Sequence, residues 1–354
     1  MTKREFIKYL SGFDITLKRI ENILSYMEED FSFDKLKSLP LIKIVGEELA
    51  FELKNNAFDD YFEDYLEKLE SKGIKLITIE DEEYPEKLRR ISDAPFFLFC
   101  KGDLSLLKEK SIAIIGSRSP SNYGRIVTER FAGDLAKSGV VIVSGLAYGV
   151  DGIAHRKTLD EKGKTIAVLG GGFDKIYPAE HTNMAKEIAE KGLLISEYRP
   201  EVSATKFSFP QRNRIVAGLS DGVLITEASA KSGTIITKDF ALDNGIIVYA
   251  VPGNITSEKS HVPNEIIATM QGSCAVCADD ILKDLGLDKK TSKHFVQLMD
   301  EEAIIVELLS SGEKDIEYLS EKVDFDIKKL NSLLTTLEIK SIIKRMPGGF
   351  YTLG

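Results

Sequence analysis

The run Ile112-Ala113-Ile114-Ile115 contains no polar residue, as a strand does when both faces of its sheet are covered. It breaks at Gly116-Ser117-Arg118. A helical pattern follows, in which Ile126, Val127, Phe131 and Leu135 are expected to share one face. Gly139 stands where such a helix would stop. Val140 to Val143 then opens a second covered strand, which runs into Ser144-Gly145. A strand, a helix and a second strand of this kind make a parallel pair. In open parallel sheets ligands dock beyond the strand ends, because helix N-termini and free backbone amides point there.

The same alternation continues. Apolar strands are expected at Thr165–Leu169, Leu193–Ser196, Gly222–Thr226 and Ile246–Val251, with helices at His181–Lys191 and from Ser232-Gly233-Thr234 to about Leu242. Upstream, Leu76–Ile79 and Ala94–Phe99 read as strands that extend the sheet's edge, with a turn and short helix at 81–88 between them. The expected class is α/β, a Rossmann-like doubly wound and mostly parallel sheet. Three domains are expected. Residues 1–75 read as helical: Leu17, Ile20, Ile23 and Leu24 form a stripe, and Leu39-Pro40 breaks the chain between helices. This part is either a cap packed on the main domain or a docking module like a SAM or helix-hairpin-helix domain. Residues 76–285 form the central domain. A polar stretch at 277–297 reads as a linker, and 295–354 as a winged helix, with helices at 303–309, 316–319 and 330–337 and a hairpin around Pro347-Gly348.

Charge narrows the function. The formal net charge is −9, which argues at first against nucleic acid. Residues 1–75 hold 12 Lys/Arg against 16 Asp/Glu, and 295–354 hold 7 against 11, leaving 28 against 29 in the centre. A basic groove therefore belongs in the central domain, and the acidic winged helix is expected to contact protein rather than DNA. No apolar run approaches the roughly 20 residues a membrane span needs. Three cysteines are too few for a disulfide framework, so a cytoplasmic setting is expected. Cys274 and Cys277 lack the second pair that a zinc site requires.

The strand exits lack both the G-x-G-x-x-G dinucleotide fingerprint and the P-loop lysine motif. They offer loops suited to phosphate: Gly116-Ser117-Arg118, Ser144-Gly145, Gly170-Gly171-Gly172 and Ser232-Gly233-Thr234. Between them lies Lys206-Phe207-Ser208-Phe209-Pro210-Gln211-Arg212-Asn213-Arg214, three cations and two aromatics in nine residues. Cations that follow a backbone, beside rings that accept any base, are the needs of a single-strand groove. The alternative is that the rings are core and that Arg212 and Arg214 pair with Glu197 or Glu227. Asp151 and His155, four residues apart at a helix start, read as a helix N-terminus with a packed histidine, ahead of an acid–base pair.

The motifs GSR at 116–118, SGLAYGVDGIAH at 144–155, IAVLGGGFDKIYP at 166–178, FPQRNRIVAGLS at 209–220, EASAKSGTIIT at 227–237 and AVPG at 250–253 together resemble the DNA-processing protein A family (DprA, also called Smf). The resemblance implies a dimeric cytoplasmic protein with no catalytic residue and no cofactor. Such a protein shields single-stranded DNA and loads a RecA-type recombinase during natural transformation or related recombination. It also implies Arg118 and Lys206 as phosphate contacts, Phe209 as the base contact, and Arg212 and Arg214 as the family's arginine pair. Tyr148 stands where the family usually has Arg, and the segment after AVPG lacks a usual glycine. A different class, a phosphoribohydrolase-like enzyme acting on nucleotides, is the alternative. Ser232-Gly233-Thr234 echoes part of its motif, but Lys238 follows Thr237 near the place of its catalytic Glu.

Overall fold

The computed structural model describes residues 1–287, 300–309, 312–339, 342–346 and 349–353. The chain divides into two compact units, Met1–Leu287 and Asp288–Gly354. The first is built on one sheet of strands β1 (Lys75–Thr78), β2 (Phe97–Gly102), β3 (Ser111–Ile115), β4 (Val141–Ser144), β5 (Thr165–Leu169), β6 (Leu193–Ser196), β7 (Gly222–Ile225), β8 (Ile247–Ala250) and β9 (Ser273–Cys274). Their order is β1-β2-β6-β5-β4-β3-β7-β8-β9. Every pair from β6 to β9 is parallel, while β2 runs antiparallel to both β1 and β6. The class is α/β and Rossmann-like.

The strand sequences explain the two covered faces. Ala113 and Ile115 point into one buried cluster with Val141, Val143 and Val223, while Ile112 and Ile114 point into another with Phe131, Leu135 and Ile142. Alternate residues of a strand leave on opposite faces, so a run without polar residues serves both. Burying each such side chain stabilises the fold by about 1.5–3 kcal/mol.

Helix Asn122–Lys137 departs in one respect from the expected stripe. Phe131 and Leu135 are buried, but Ile126 is 54% exposed. One residue turns a helix by about 100°, so Ile126 and Val127 diverge; Gly124 and Thr128 continue the buried face instead. Residues 277–297 are also not all linker. Ala278–Asp284 is a helix whose Ile281 and Leu282 are buried against the sheet cluster, and the stretch beyond Leu287 lies outside the described residues.

Residues before β1 form helices Lys3–Leu10, Leu17–Met27, Phe33–Ser38, Leu41–Val45, Glu47–Asn55 and Asp59–Ser71. Their core around Phe6, Tyr9 and Ile23 merges with Leu76, Phe97 and Phe99 at the sheet's edge. The second unit has helices Asp300–Leu309, Ile316–Lys322 and Ile327–Ile339. Its small sheet places Phe350–Leu353 between Lys314–Asp315 and Ile343–Arg345. Pro347 and Gly348, at the expected turn, lie outside the described residues.

Candidate nucleic-acid interface

Successive strands step from β3 through β4 and β5 to β6 on one side, then return to β7 on the other side of β3. The loops after β3 and β7 therefore part company at a topological switch point, where open α/β sheets leave a crevice. Buried Glu227 after β7 holds the loop after β3. Its backbone carbonyl accepts from the Ser117 N–H (2.7 Å), and its carboxylate accepts from the Ser121 N–H (2.7 Å) and hydroxyl (2.5 Å). The Val150 N–H, at the start of helix Val150–Asp160, donates to the Ser117 carbonyl at 3.1 Å. Gly149 makes this approach possible. Its φ is +74°, and a Cβ there would stand 2.3 Å from the Ser117 oxygen. The loop is thus fixed from below, with Arg118 exposed at its tip.

Lys206 and Phe207 lead into helix Ser208–Gly218, whose first turn carries Phe209. The Phe209 ring packs against Gly170, where a Cβ would meet the ring at 2.8 Å. The Arg118 guanidinium carbon stands 5.4 Å from the centre of that ring, and the Lys206 ammonium 5.0 Å from the centre of the Phe207 ring. Cations at this range rest on the ring face without being neutralised, so they keep their charge for a ligand.

Two adjoining hollows follow. One of about 460 Å3 is lined by Gly116, Ser117, Arg118, Phe209 and Ser232-Gly233-Thr234. The other, about 470 Å3, is lined by Arg118, Tyr177, Lys206 and Phe209. Helix Thr234–Asp243 begins at the first hollow, adding the partial positive charge of its N-terminus. The Thr234 N–H donates to the Ser232 hydroxyl, which itself donates to Thr234 Oγ1 at 2.8 Å. A larger hollow of about 780 Å3 lies beside the N-terminal helices, but Asp14, Glu21, Asp93 and Glu197 there outnumber Lys18, Arg199 and Arg214. Phosphate has no reason to prefer it.

Other residues expected in the groove have their side chains or amides committed to the fold. Arg212 lines the first hollow but is only 3% exposed, and its guanidinium donates to the Gly145 and Val168 carbonyls. Burial lowers its pKa to about 10, with the Asp151 carboxylate countering. Arg214 pairs with Glu197 at 2.5 Å, with both side chains largely buried. Ser144 is buried and donates to the Ile114 carbonyl (2.7 Å); the Gly145 N–H donates to Asp151 (3.1 Å). Gly170, Gly171 and Gly172 are buried and let residues 199–209 pack closely, so they offer no open amide cradle.

Asp151 and His155 form no exposed acid–base pair. Burial raises the Asp151 pKa, while Arg212 and the amide donors of Ala147 and Gly145 oppose that rise. Burial lowers the His155 pKa to about 3, and its Nδ1 is 2.7 Å from the Thr165 hydroxyl. Residues that the sequence alone did not single out also line the hollows: Tyr177, Asn213 and Lys231. Only Tyr177 carried a usable signal, as an aromatic in the loop after the glycine run.

Known proteins resemble this chain over most of its length. The family model of DNA recombination-mediator protein A matches residues 75–286. The DNA processing protein DprA of Bacillus subtilis is 37% identical over 284 residues, covering 77% of this chain and 94% of that protein. Protein Smf of Escherichia coli is 36% identical over 297 residues, covering 80% and 79%. Among solved structures, DprA of Streptococcus pneumoniae superposes with a TM-score of 0.68 at 34% identity, covering 80% of this chain and 99% of that one. DprA of Helicobacter pylori, whose structure concerns its mode of single-stranded DNA binding, gives 0.55 at 34% identity, covering 60% and 97%. The family match spans more than half of this chain, and the two relatives are 36–37% identical to it over at least 77% of its length. The chain therefore belongs to the DNA recombination-mediator protein A (DprA/Smf) family.

Proposed function

We propose that the chain binds single-stranded DNA in the two hollows at the β3/β7 switch point. The observation that carries this reading is that Arg118, Lys206 and Phe209 line one continuous depression. Arg118 and Lys206 take phosphates, Phe209 takes a base, and the N-terminus of helix Thr234–Asp243 adds its partial positive charge beside the anion. A duplex keeps its bases stacked inside and offers none to the ring, so unpaired strands are preferred.

Family membership extends the reading. The protein acts in the cytoplasm as a homodimer that shields incoming single strands and loads a RecA-type recombinase, in natural transformation or related recombination. It does so by binding alone, without a catalytic residue. The helical residues 1–75 and the acidic winged helix of residues 295–354 flank the DNA-binding domain (76–285), and the winged helix serves protein contacts. Two grooves in a dimer raise apparent affinity through effective concentration.

Fluorescence anisotropy with labelled single- and double-stranded oligonucleotides at two salt concentrations tests the binding. Tighter binding to the single strand is expected, with log Kd changing by about 0.7 per decade of salt for each phosphate neutralised. Equal affinity for duplex, or no salt dependence, would refute it.

A further inference from the structure

The rings do not stop at Phe209. Its centre lies 5.2 Å from that of Tyr177, with the planes at 47°. Tyr177 in turn lies 6.4 Å from Tyr148, with the planes at 75°. Tyr177 is 50% exposed and Tyr148 39%, so both side chains are open to solvent. Tyr148 belongs to the same rim. Its neighbour Ala147 lines the first hollow, and its other neighbour Gly149 abuts the backbone of Ser117 and Arg118. The ring is held in place, since its hydroxyl donates to Glu180 and its centre lies 5.6 Å from that of the His181 ring, with the planes at 61°.

We propose that Tyr177 and Tyr148 continue the groove as an uncharged track for bases, with Tyr148 as its outermost stacking platform; this rests on the single-strand reading above. Three consequences follow from the geometry. The Glu180 carboxylate beside Tyr148 repels phosphate, so contact at this end is with the base and not the backbone. The planes are tilted by 47° and 75°, so a strand cannot stay stacked on itself while lying on all three rings. Each ring takes its base separately, which favours strands whose bases stack weakly on one another. Oligo-dT is therefore preferred to oligo-dA, a preference set by stacking and flexibility rather than by reading base edges.

Anisotropy titrations with labelled oligo-dT and oligo-dA of equal length, on the full chain at two salt concentrations, test this. Wild type is expected to favour oligo-dT. Tyr148→Ala and Tyr148→Leu are each expected to weaken oligo-dT binding roughly tenfold with the salt slope unchanged, because a ring face and not a charge is lost. The Leu variant keeps most of the volume, so it separates stacking from a packing defect. Tyr148→Phe keeps the ring and is expected to bind as wild type. Unchanged affinity in both the Ala and Leu variants would overturn the proposal, and so would a Phe variant as weak as they are, which would assign the effect to the hydroxyl and Glu180. Wild type binding neither oligonucleotide would instead overturn the single-strand reading itself.

Discussion

The two ends of the segment 206–214 use the same residue types for opposite purposes. At its outer end Lys206 is exposed over the Phe207 ring, and Phe209 lies under the Arg118 guanidinium. At its inner end Arg212 is enclosed by carbonyls of the strand ends, and Arg214 is paired with Glu197. A cation on an aromatic face gives up little solvation and stays available to an anion. A cation sealed among carbonyls has spent its hydrogen bonds on the fold. Density of positive charge in a sequence is thus a poor guide to a phosphate site; what the guanidinium already touches decides.

This contrast can be broken first at the inner end. Replacing Arg212 with Ala strips the donors from two buried carbonyls and leaves Asp151 without its countering charge, so a loss of about 3 kcal/mol in unfolding free energy is expected. Chemical denaturation measures it. A variant as stable as wild type would mean that Arg212 is not structural.

A gentler probe of the same interior is pH. The His155 pKa lies at about 3 in the fold, against an ordinary 6.5. Between these values the unfolded chain binds the proton and the fold does not. The stability from keeping His155 neutral is therefore complete above pH 6.5 and lost as pH falls toward 3. Asp151, with a raised pKa, works in the opposite sense, and comparison with His155→Gln removes its contribution because both proteins share it. The stability advantage of wild type over this variant should shrink by up to about 1.4 kcal/mol per pH unit below 6.5. A difference that stays constant from pH 7 to pH 4 would show that His155 titrates normally.

Much of the fold was legible because its signals are local. Ile112–Ile115, Thr165–Leu169 and Leu193–Ser196 are apolar runs bounded by glycine or polar residues, and each is a strand. The helix carrying Ile126 is less legible, because Ile126 and Val127 are adjacent apolar residues that cannot share one face. Of the proposed site, Arg118 follows a strand exit, while Lys206 and Phe209 lie in the cation- and aromatic-rich segment that the family resemblance also points to. The structural role of Arg212 is not legible there, since its partners are the main-chain carbonyls of Gly145 and Val168, which every sequence offers and none advertises. Ser144 went the same way, to the Ile114 carbonyl. Tyr177 is only weakly legible as a site residue, because it comes from the loop after β5 and meets Phe209 only in the folded sheet.

The outer end gives the smallest energetic effect and the most direct test. Arg118→Ala and Lys206→Ala each remove a cation that the fold does not enclose, so each should weaken single-strand binding by about 1.5 kcal/mol, roughly tenfold, at unchanged stability. The decisive measurement is the salt dependence of single-strand affinity for the Arg118→Ala/Lys206→Ala double variant. Two phosphate contacts fewer should lower the log–log slope by about 1.4 relative to wild type. A double variant with the wild-type slope and affinity would place the DNA somewhere other than this groove.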